Sequence, residues 1–128
     1  MEEGATVSVY VSASLCAEAE AALAAAGGRA GEVRVRAVCL APARAGTRID
    51  LAATGANARR ATEDSSTVAV VGDADPAATR FTRPILAEAG IALVTSQSGR
   101  RAMSQILSAI DQADTSSSLR ESLYDSLP

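Results

Sequence analysis

The sequence predicts an α/β fold: a flavodoxin-like three-layer sandwich in which helices cover both faces of a parallel sheet of about four strands. Three observations lead to this prediction. Short β-branched runs alternate with helical patterns along a chain of 128 residues, which is the length of a single domain. Residues 67–71 (TVAVV) are apolar apart from Thr67, as in a central strand covered on both faces. Small aliphatic side chains supply most of the apolar content, and they let layers pack closely.

The N-terminal part predicts one strand and one helix. Residues 6–12 alternate β-branched and polar side chains with period two, which is typical of a strand. Residues 17–26 are rich in Ala and Glu, which favour helices, and Ser14 is placed to cap this helix. Gly27 and Gly28 end it, since glycine is favoured just beyond helix C-termini.

A second strand, a loop and a second helix follow. Residues 33–40 (VRVRAVCL) alternate valine with arginine at their start, which places the arginines on one face and indicates a strand. Residues 41–48 contain Pro42 and Gly46 and are predicted to form a loop. Asp50 is then placed to cap a helix that runs to about residue 63.

The third and fourth strands enclose the clearest helix start in the chain. After the strand at residues 67–71, Asp75 as the cap and Pro76 at the first helical position predict a helix to about residue 89. Gly90 ends it, and residues 91–95 form the fourth strand.

The C-terminal part predicts two more helices. Its first apolar stripe has three- and four-residue spacing and includes Ala102, Met103, Ile106, Leu107 and Ile110. Residues 114–118 are a polar break. Beyond them Leu119, Leu123 and Leu127 could form the apolar stripe of a short last helix, which we expect to fray.

This element order predicts strand order 2-1-3-4 with right-handed crossovers. The switch point of such a sheet lies between its first and third strands, and ligands bind there outside the carboxyl ends of the strands. The polar side chains in the loops at this edge are therefore the candidate ligand-binding residues: Ser14, Asp73, Asp75, Gln97 and Ser98. Asp75 and the two residues of the last loop also have simpler interpretations, as a helix cap and as ordinary loop residues.

Composition argues against catalysis. The chain has no His and no Lys, so a His-based triad and a P-loop are excluded. The missing lysine and the lack of clustered acids after the first strand argue against a phospho-receiver site. The loop after the first strand has no glycine, which argues against a dinucleotide site. We predict no enzyme activity, no cofactor and no metal. Cys16 and Cys39 are interpreted as two small buried hydrophobes rather than a disulfide or a metal site, and a nucleophilic role for Cys16 is a minor alternative.

Charge and hydropathy limit the classes of binding partner that we expect. The net charge of −3 and the scattered arginines give no basic stripe, so we expect no nucleic-acid binding. No apolar run approaches the roughly 18 residues of a membrane span, so we expect no membrane insertion. The acidic N-terminus lacks the apolar region of a signal peptide, so none is expected.

Three stretches resemble one protein family. The helix from "GANARRATED" at residues 55–64 into "TVAVVG" at 67–72, and "PILAEAGI" at 84–91, are similar to type I periplasmic binding proteins of the branched-chain amino-acid type. "RAMSQILSAI" at residues 101–110 resembles a late helix that, in this family, follows a second lobe and packs back on the first. The resemblance implies that the second lobe is missing and that its crossing points are joined near residues 98–99.

The resemblance implies a single domain over residues 1–128, with an N-terminal part at 6–98 and late helices at 99–128 that pack back on it. It implies a non-catalytic solute-binding lobe that retains at most a weak half-site for an amino acid or a similar small solute. The alternative is a ligand-free structural lobe, natural or engineered, that self-associates as a homodimer. A small flavodoxin-like sensor or enzyme is a third possibility. The family works in the periplasm, but the sequence leaves the compartment of this chain open.

Overall fold

A five-stranded sheet forms the middle layer of the fold. The computed structural model of the chain describes residues 6–45, 48–113 and 119–127. The strands of this sheet are β1 (Thr6–Val11), β2 (Arg29–Ala30), β3 (Val33–Cys39), β6 (Thr67–Asp73) and β7 (Ala92–Ser96). A separate two-stranded hairpin consists of β4 (Arg44–Ala45) and β5 (Arg48–Ile49).

Five α-helices in the described ranges connect and cover these strands. They are α1 (Cys16–Ala25), α2 (Leu51–Glu63), α3 (Pro76–Glu88), α4 (Gly99–Gln112) and α5 (Leu119–Ser126). A single 3-10 turn, Ala13–Leu15, joins β1 to α1. No helix in the described part of the chain is long and apolar enough to cross a membrane.

The sheet confirms the predicted fold class. Its order is β2-β3-β1-β6-β7, and β1 pairs in parallel with both β3 and β6, as β6 does with β7. The four long strands therefore have the predicted order 2-1-3-4. Strand β2 adds a short antiparallel edge next to β3, which sequence periodicity did not predict because two residues carry no pattern.

The two faces of the sheet bury cores of different size. The larger core lies under α1, α4 and α5, where odd-numbered residues of β1 meet Met103, Ile106 and Leu123. The smaller core lies under α2 and α3 and includes Tyr10, Leu40, Val70 and Leu86. The late helices α4 and α5 thus pack on the same sheet face as α1.

The helix starts follow the predicted caps with one exception. Asp50 Oδ1 accepts a hydrogen bond from Ala53 N, and Asp75 Oδ1 accepts from Ala77 N and Ala78 N, so both predicted caps are confirmed. Ser14 does not cap α1, because it lies inside the 3-10 turn and makes a different contact. The predicted polar break at 114–118 lies outside the described residues.

The interpretation of the cysteines as unpaired was wrong. Cys16 and Cys39 form a disulfide across a sequence separation of 23, with their Cα atoms 5.7 Å apart. The pairing arises from topology, since the N-terminus of α1 and the carboxyl end of β3 both lie at the same edge of the sheet. Sequence spacing alone does not reveal this proximity.

Candidate functional site

The candidate site lies at the carboxyl edge of the sheet, at the switch point between β1 and β6. The connections diverge there, because β1 leads to α1 on one face of the sheet and β6 leads to α3 on the other face. Such a divergence opens a crevice that neither helix fills. Two adjoining hollows occupy this crevice, and both are bordered by Ser12, Ala43, Asn57 and Asp73.

The outer hollow has a volume of about 110 Å³. Its walls are the turn after β1, which carries Ser14, and the segment after β3, which includes Pro42. The polar side chains of Ser12, Ser14 and Asp73 border one side of it, and Asn57 of α2 borders the other. It is therefore an open recess at the surface whose lining area is mostly apolar and carries these four polar side chains.

The inner hollow has a volume of about 70 Å³ and lies between α2 and α3. Its apolar lining includes Leu40, Val70 and Leu93, which belong to the smaller core. Its polar lining consists of hydroxyl-bearing and amide side chains together with one carboxylate: Ser12, Thr54, Asn57, Asp73, Thr79, Thr82 and Thr95. Both hollows are smaller than the roughly 300 Å³ at which small-molecule pockets usually begin.

Ser14 and Asp73 are the two predicted site residues that the structure brings into contact. Ser14 Oγ donates a hydrogen bond to Asp73 Oδ1 across a sequence separation of 59. The contact joins the turn after β1 to the end of β6, so it spans the switch point. It orients a carboxylate toward the outer hollow, and a carboxylate there suits an ammonium group or a hydroxyl donor.

Asn57 and Thr54 hold α2 against this edge. Asn57 Nδ2 donates to the carbonyl oxygen of Ala41 at 2.8 Å, which fixes the helix to the segment after β3. Thr54 is buried, and its Oγ1 donates to the carbonyl oxygen of Asp50 at 2.8 Å. Because the Asn57 amide nitrogen is used in this contact, its carbonyl oxygen is the atom best placed to accept a hydrogen bond from a ligand.

The other three predicted residues have different positions. Asp75 caps α3 and lines neither hollow. Ser98 Oγ accepts from Arg101 N at 3.2 Å and caps α4, and Ser96 Oγ holds the Ser98 backbone through hydrogen bonds to its N–H and carbonyl. Gln97 is exposed between these two serines and borders neither hollow.

The strongest electrostatic perturbation lies elsewhere, near the start of β6. Ser66 and Tyr10 donate hydrogen bonds to the Asp64 carboxylate, and together with the nearby Arg36 they lower its pKa from 3.8 to about 2. Burial and the Asp64 carboxylate raise the pKa of Tyr10. The network joins β1, β3 and the turn before β6, so its role is structural.

Several lining residues were not predicted from the sequence. Asn57, Thr79 and Thr82 lie on helices, whereas the predicted site residues all lie in loops that follow strands. Helical spacing is the signal that could have identified the two threonines, since 79 and 82 are three residues apart and share a helix face.

One group among the described residues has the spacing of a metal site. It consists of Cys16, Glu20 and Cys39, and its cysteines form the disulfide. The two hollows have no such group.

Comparison with known proteins adds no relatives. No family model, curated protein or solved structure matches the chain.

Proposed function

We propose that the chain is a non-catalytic, single-lobe solute-binding domain of the type I periplasmic binding-protein kind. The observation that carries the proposal is the open crevice at the switch point, where Ser14 and Asp73 meet beside Asn57. The resemblance of residues 55–64 and 84–91 to that family supports it. The short link between β7 and α4 also supports it. Only Gln97 and Ser98 lie between these elements, at the point where the family carries its second lobe.

The proposed ligand is an amino acid or a similar small solute with an ammonium group. Asp73 supplies the anionic partner for that group, and the hydroxyl-bearing side chains of the crevice supply further hydrogen bonds. The hollows are small and open to solvent, so a ligand bound there keeps one side in water. Pockets that bind tightly bury about 70–90% of their ligand. The expected affinity is therefore weak, about millimolar or poorer.

A thermal-shift panel of L-amino acids at tens of millimolar tests this proposal. A ligand that binds only the folded state stabilises it by RT ln(1 + [L]/Kd), which is about 2 kcal/mol at fifty times Kd. We expect a saturable rise in Tm for at least one amino acid. The rise should be lost in Asp73→Asn, reduced in Ser14→Ala and retained in Asp125→Asn, whose exposed carboxylate lies on α5.

Two ligand controls sharpen the test. The D-enantiomer of the active amino acid reports on stereospecific contacts, and the matching carboxylic acid without its amino group reports on the contact with Asp73. Equal shifts for all three compounds, or equal shifts in wild type and Asp73→Asn, would contradict the proposed site. No shift with any amino acid would contradict the solute-binding function.

The second candidate function is a ligand-free structural lobe that forms a homodimer. Strand β7 is the last strand of the sheet, and a groove of about 310 Å³ runs beside it, lined by residues of α3, β7 and α5. Tyr124 on α5 borders this groove and is 43% exposed. An unpaired edge strand beside an apolar groove favours pairing between chains. A monomeric mass by light scattering at high protein concentration would exclude this function, whereas a dimer broken by Tyr124→Lys would support it.

A further inference from the structure

Three groups that bind metals meet where α1 begins and β3 ends. They are the sulfur atoms of Cys16 and Cys39 and a carboxylate oxygen of Glu20, and all three atoms lie within 4.8 Å of one another. The cysteines form a disulfide in this structure. Reduction of that disulfide would place two thiols and one carboxylate around a single point.

All three residues belong to regular secondary structure, α1 or β3. Cys16 is the first residue of α1 and Glu20 lies one turn later, so the two side chains share a helix face. Cys39 ends β3, and its Cα lies 5.7 Å from that of Cys16. Tetrahedral zinc with Zn–S bonds of about 2.3 Å separates two sulfurs by about 3.8 Å. Side-chain rotation at a Cα separation of 5.7 Å is compatible with that spacing.

Glu20 is available to act as a ligand. Among the described residues, its carboxylate has no hydrogen-bond or ion-pair partner. The neighbouring acid, Glu18, differs in this respect, because its Oε1 accepts a hydrogen bond from Gly99 N at 2.8 Å. Cys39 and Glu20 are exposed, so a cation can reach them from solvent. Cys16 is buried, so its sulfur is the ligand that the surrounding residues hold in place.

We propose that, once the disulfide is reduced, Cys16, Cys39 and Glu20 bind one thiophilic divalent cation of the Zn²⁺ class. Water completes the coordination, since the chain has no histidine to supply a fourth ligand of that kind. Two thiolates select zinc-like ions over Mg²⁺ and Ca²⁺, which prefer oxygen ligands. The disulfide and the metal exclude each other because both use the same two sulfurs.

A phosphine can serve as the reductant that converts the disulfide into two thiols. The phosphine transfers two electrons to the disulfide, water supplies one oxygen atom and two protons, and the products are two thiols and one phosphine oxide. Binding of the cation then releases the two thiol protons, because the thiolate is the metal ligand. When a small-molecule disulfide oxidises the two thiolates, it takes up two electrons and two protons to become two thiols, the protein disulfide forms again and the cation is released.

Co²⁺ titration of the reduced protein tests the proposal. The full chain is reduced with a water-soluble phosphine, freed of it under argon and titrated with Co²⁺ while absorption is recorded. We expect one equivalent to produce thiolate-to-cobalt charge-transfer bands in the near ultraviolet and tetrahedral bands in the visible, all bleached by one equivalent of Zn²⁺. The oxidised protein and Cys39→Ser should lack the two-thiolate spectrum.

Variants of the carboxylates distinguish a built site from two free thiols. Glu20→Gln should weaken Co²⁺ binding by at least about tenfold, the loss that even outer-shell substitutions produce. Glu88→Gln, an exposed acid on α3, serves as the matched control and should leave affinity unchanged. Equal affinities for Glu20→Gln and wild type would overturn the proposal, as would a reduced wild type without cobalt bands.

A fold readout covers the case in which reduction alone unfolds the chain. Circular dichroism is then followed during the same titration, and the proposal requires Zn²⁺ or Co²⁺ to restore the far-ultraviolet spectrum of the oxidised protein. Metal binding by a chain that stays unfolded would overturn it.

Discussion

At the scale of single residues, Asp64 organises the largest polar network in the described part of the chain. Its Oδ2 accepts from Tyr10 Oη at 2.7 Å and lies 3.2 Å from Arg36 Nη2, and its Oδ1 accepts from the Ser66 backbone at 2.9 Å. Arg36 Nε also donates to Ser8 Oγ at 2.9 Å. These bonds join residues far apart in sequence, so they define the register of β1 against the start of β6.

The Asp64 network makes stability depend on pH in the acidic range. Because the pKa of Asp64 falls from 3.8 to about 2 on folding, its ionised form stabilises the native state above pH 3.8 and loses that contribution as the pH falls toward 2. Asp64→Asn should lower the free energy of unfolding at pH 7 by about 1–2 kcal/mol, after allowance for solvent screening. Urea denaturation at pH 7, 4 and 2.5 measures the difference.

The pH profile separates this effect from general packing loss. The difference between wild type and Asp64→Asn should shrink steadily below pH 4. Asp125→Asn, at an exposed position of α5, is the control and should change the free energy of unfolding at pH 7 by less than about 0.5 kcal/mol. A difference for Asp64→Asn that persists unchanged at pH 2.5 would contradict the assignment to ionisation.

At the scale of elements, α1 and α4 approach each other closely at Gly99. A Cβ at this position would overlap the carbonyl oxygen of Leu15 and lie 3.1 Å from Ala19 N. Both obstructing atoms belong to the backbone of the turn and helix after β1, so neither moves aside at low cost. Glycine is therefore required where α4 starts, and the Glu18 carboxylate accepts a hydrogen bond from its N–H.

Gly99→Ala should separate α1 from α4 and lower the free energy of unfolding by about 1–3 kcal/mol, the usual range for overpacking. The neighbouring control, Arg100→Ala, replaces an exposed side chain and should change stability by less than about 0.5 kcal/mol. Chemical denaturation of both variants measures the effect. Equal midpoints for Gly99→Ala and wild type would show that the helices have room to part.

The long elements were predictable from sequence because each carries its own local signal. Asp75 and Pro76 mark the start of α3, and the apolar spacing from Ala102 to Ile110 defines the buried face of α4. Strand β2 and the β4–β5 hairpin have two-residue strands, which are too short for any periodicity. Their existence depends on neighbouring strands that sequence patterns do not place.

At the scale of the whole molecule, the position of the crevice was predictable but its composition was only partly so. Parallel strand order fixes where the switch point falls, so Ser14 and Asp73 could be assigned to it from the sequence. Asp75, Gln97 and Ser98 were assigned to it for the same reason but border neither hollow. Asn57, Thr79 and Thr82 reach the same crevice from helices, so their participation depends on how α2 and α3 rotate on the sheet. The Cys16–Cys39 pairing has the same origin, since it follows from tertiary proximity rather than sequence spacing.

The disulfide is expected to contribute to the stability of the whole domain. Closing a loop across a separation of 23 residues restricts the unfolded chain by about 3 kcal/mol, against a total stability on the order of 10 kcal/mol for a domain of this size. Cys16→Ala/Cys39→Ala should therefore have a lower denaturation midpoint than the oxidised wild type. Its m-value should rise, because an unfolded chain without the crosslink exposes more surface. Reduced wild type in the presence of a metal chelator should behave like the double variant. A double variant as stable as the oxidised protein would show that the bond adds native-state strain that offsets its effect on the unfolded chain.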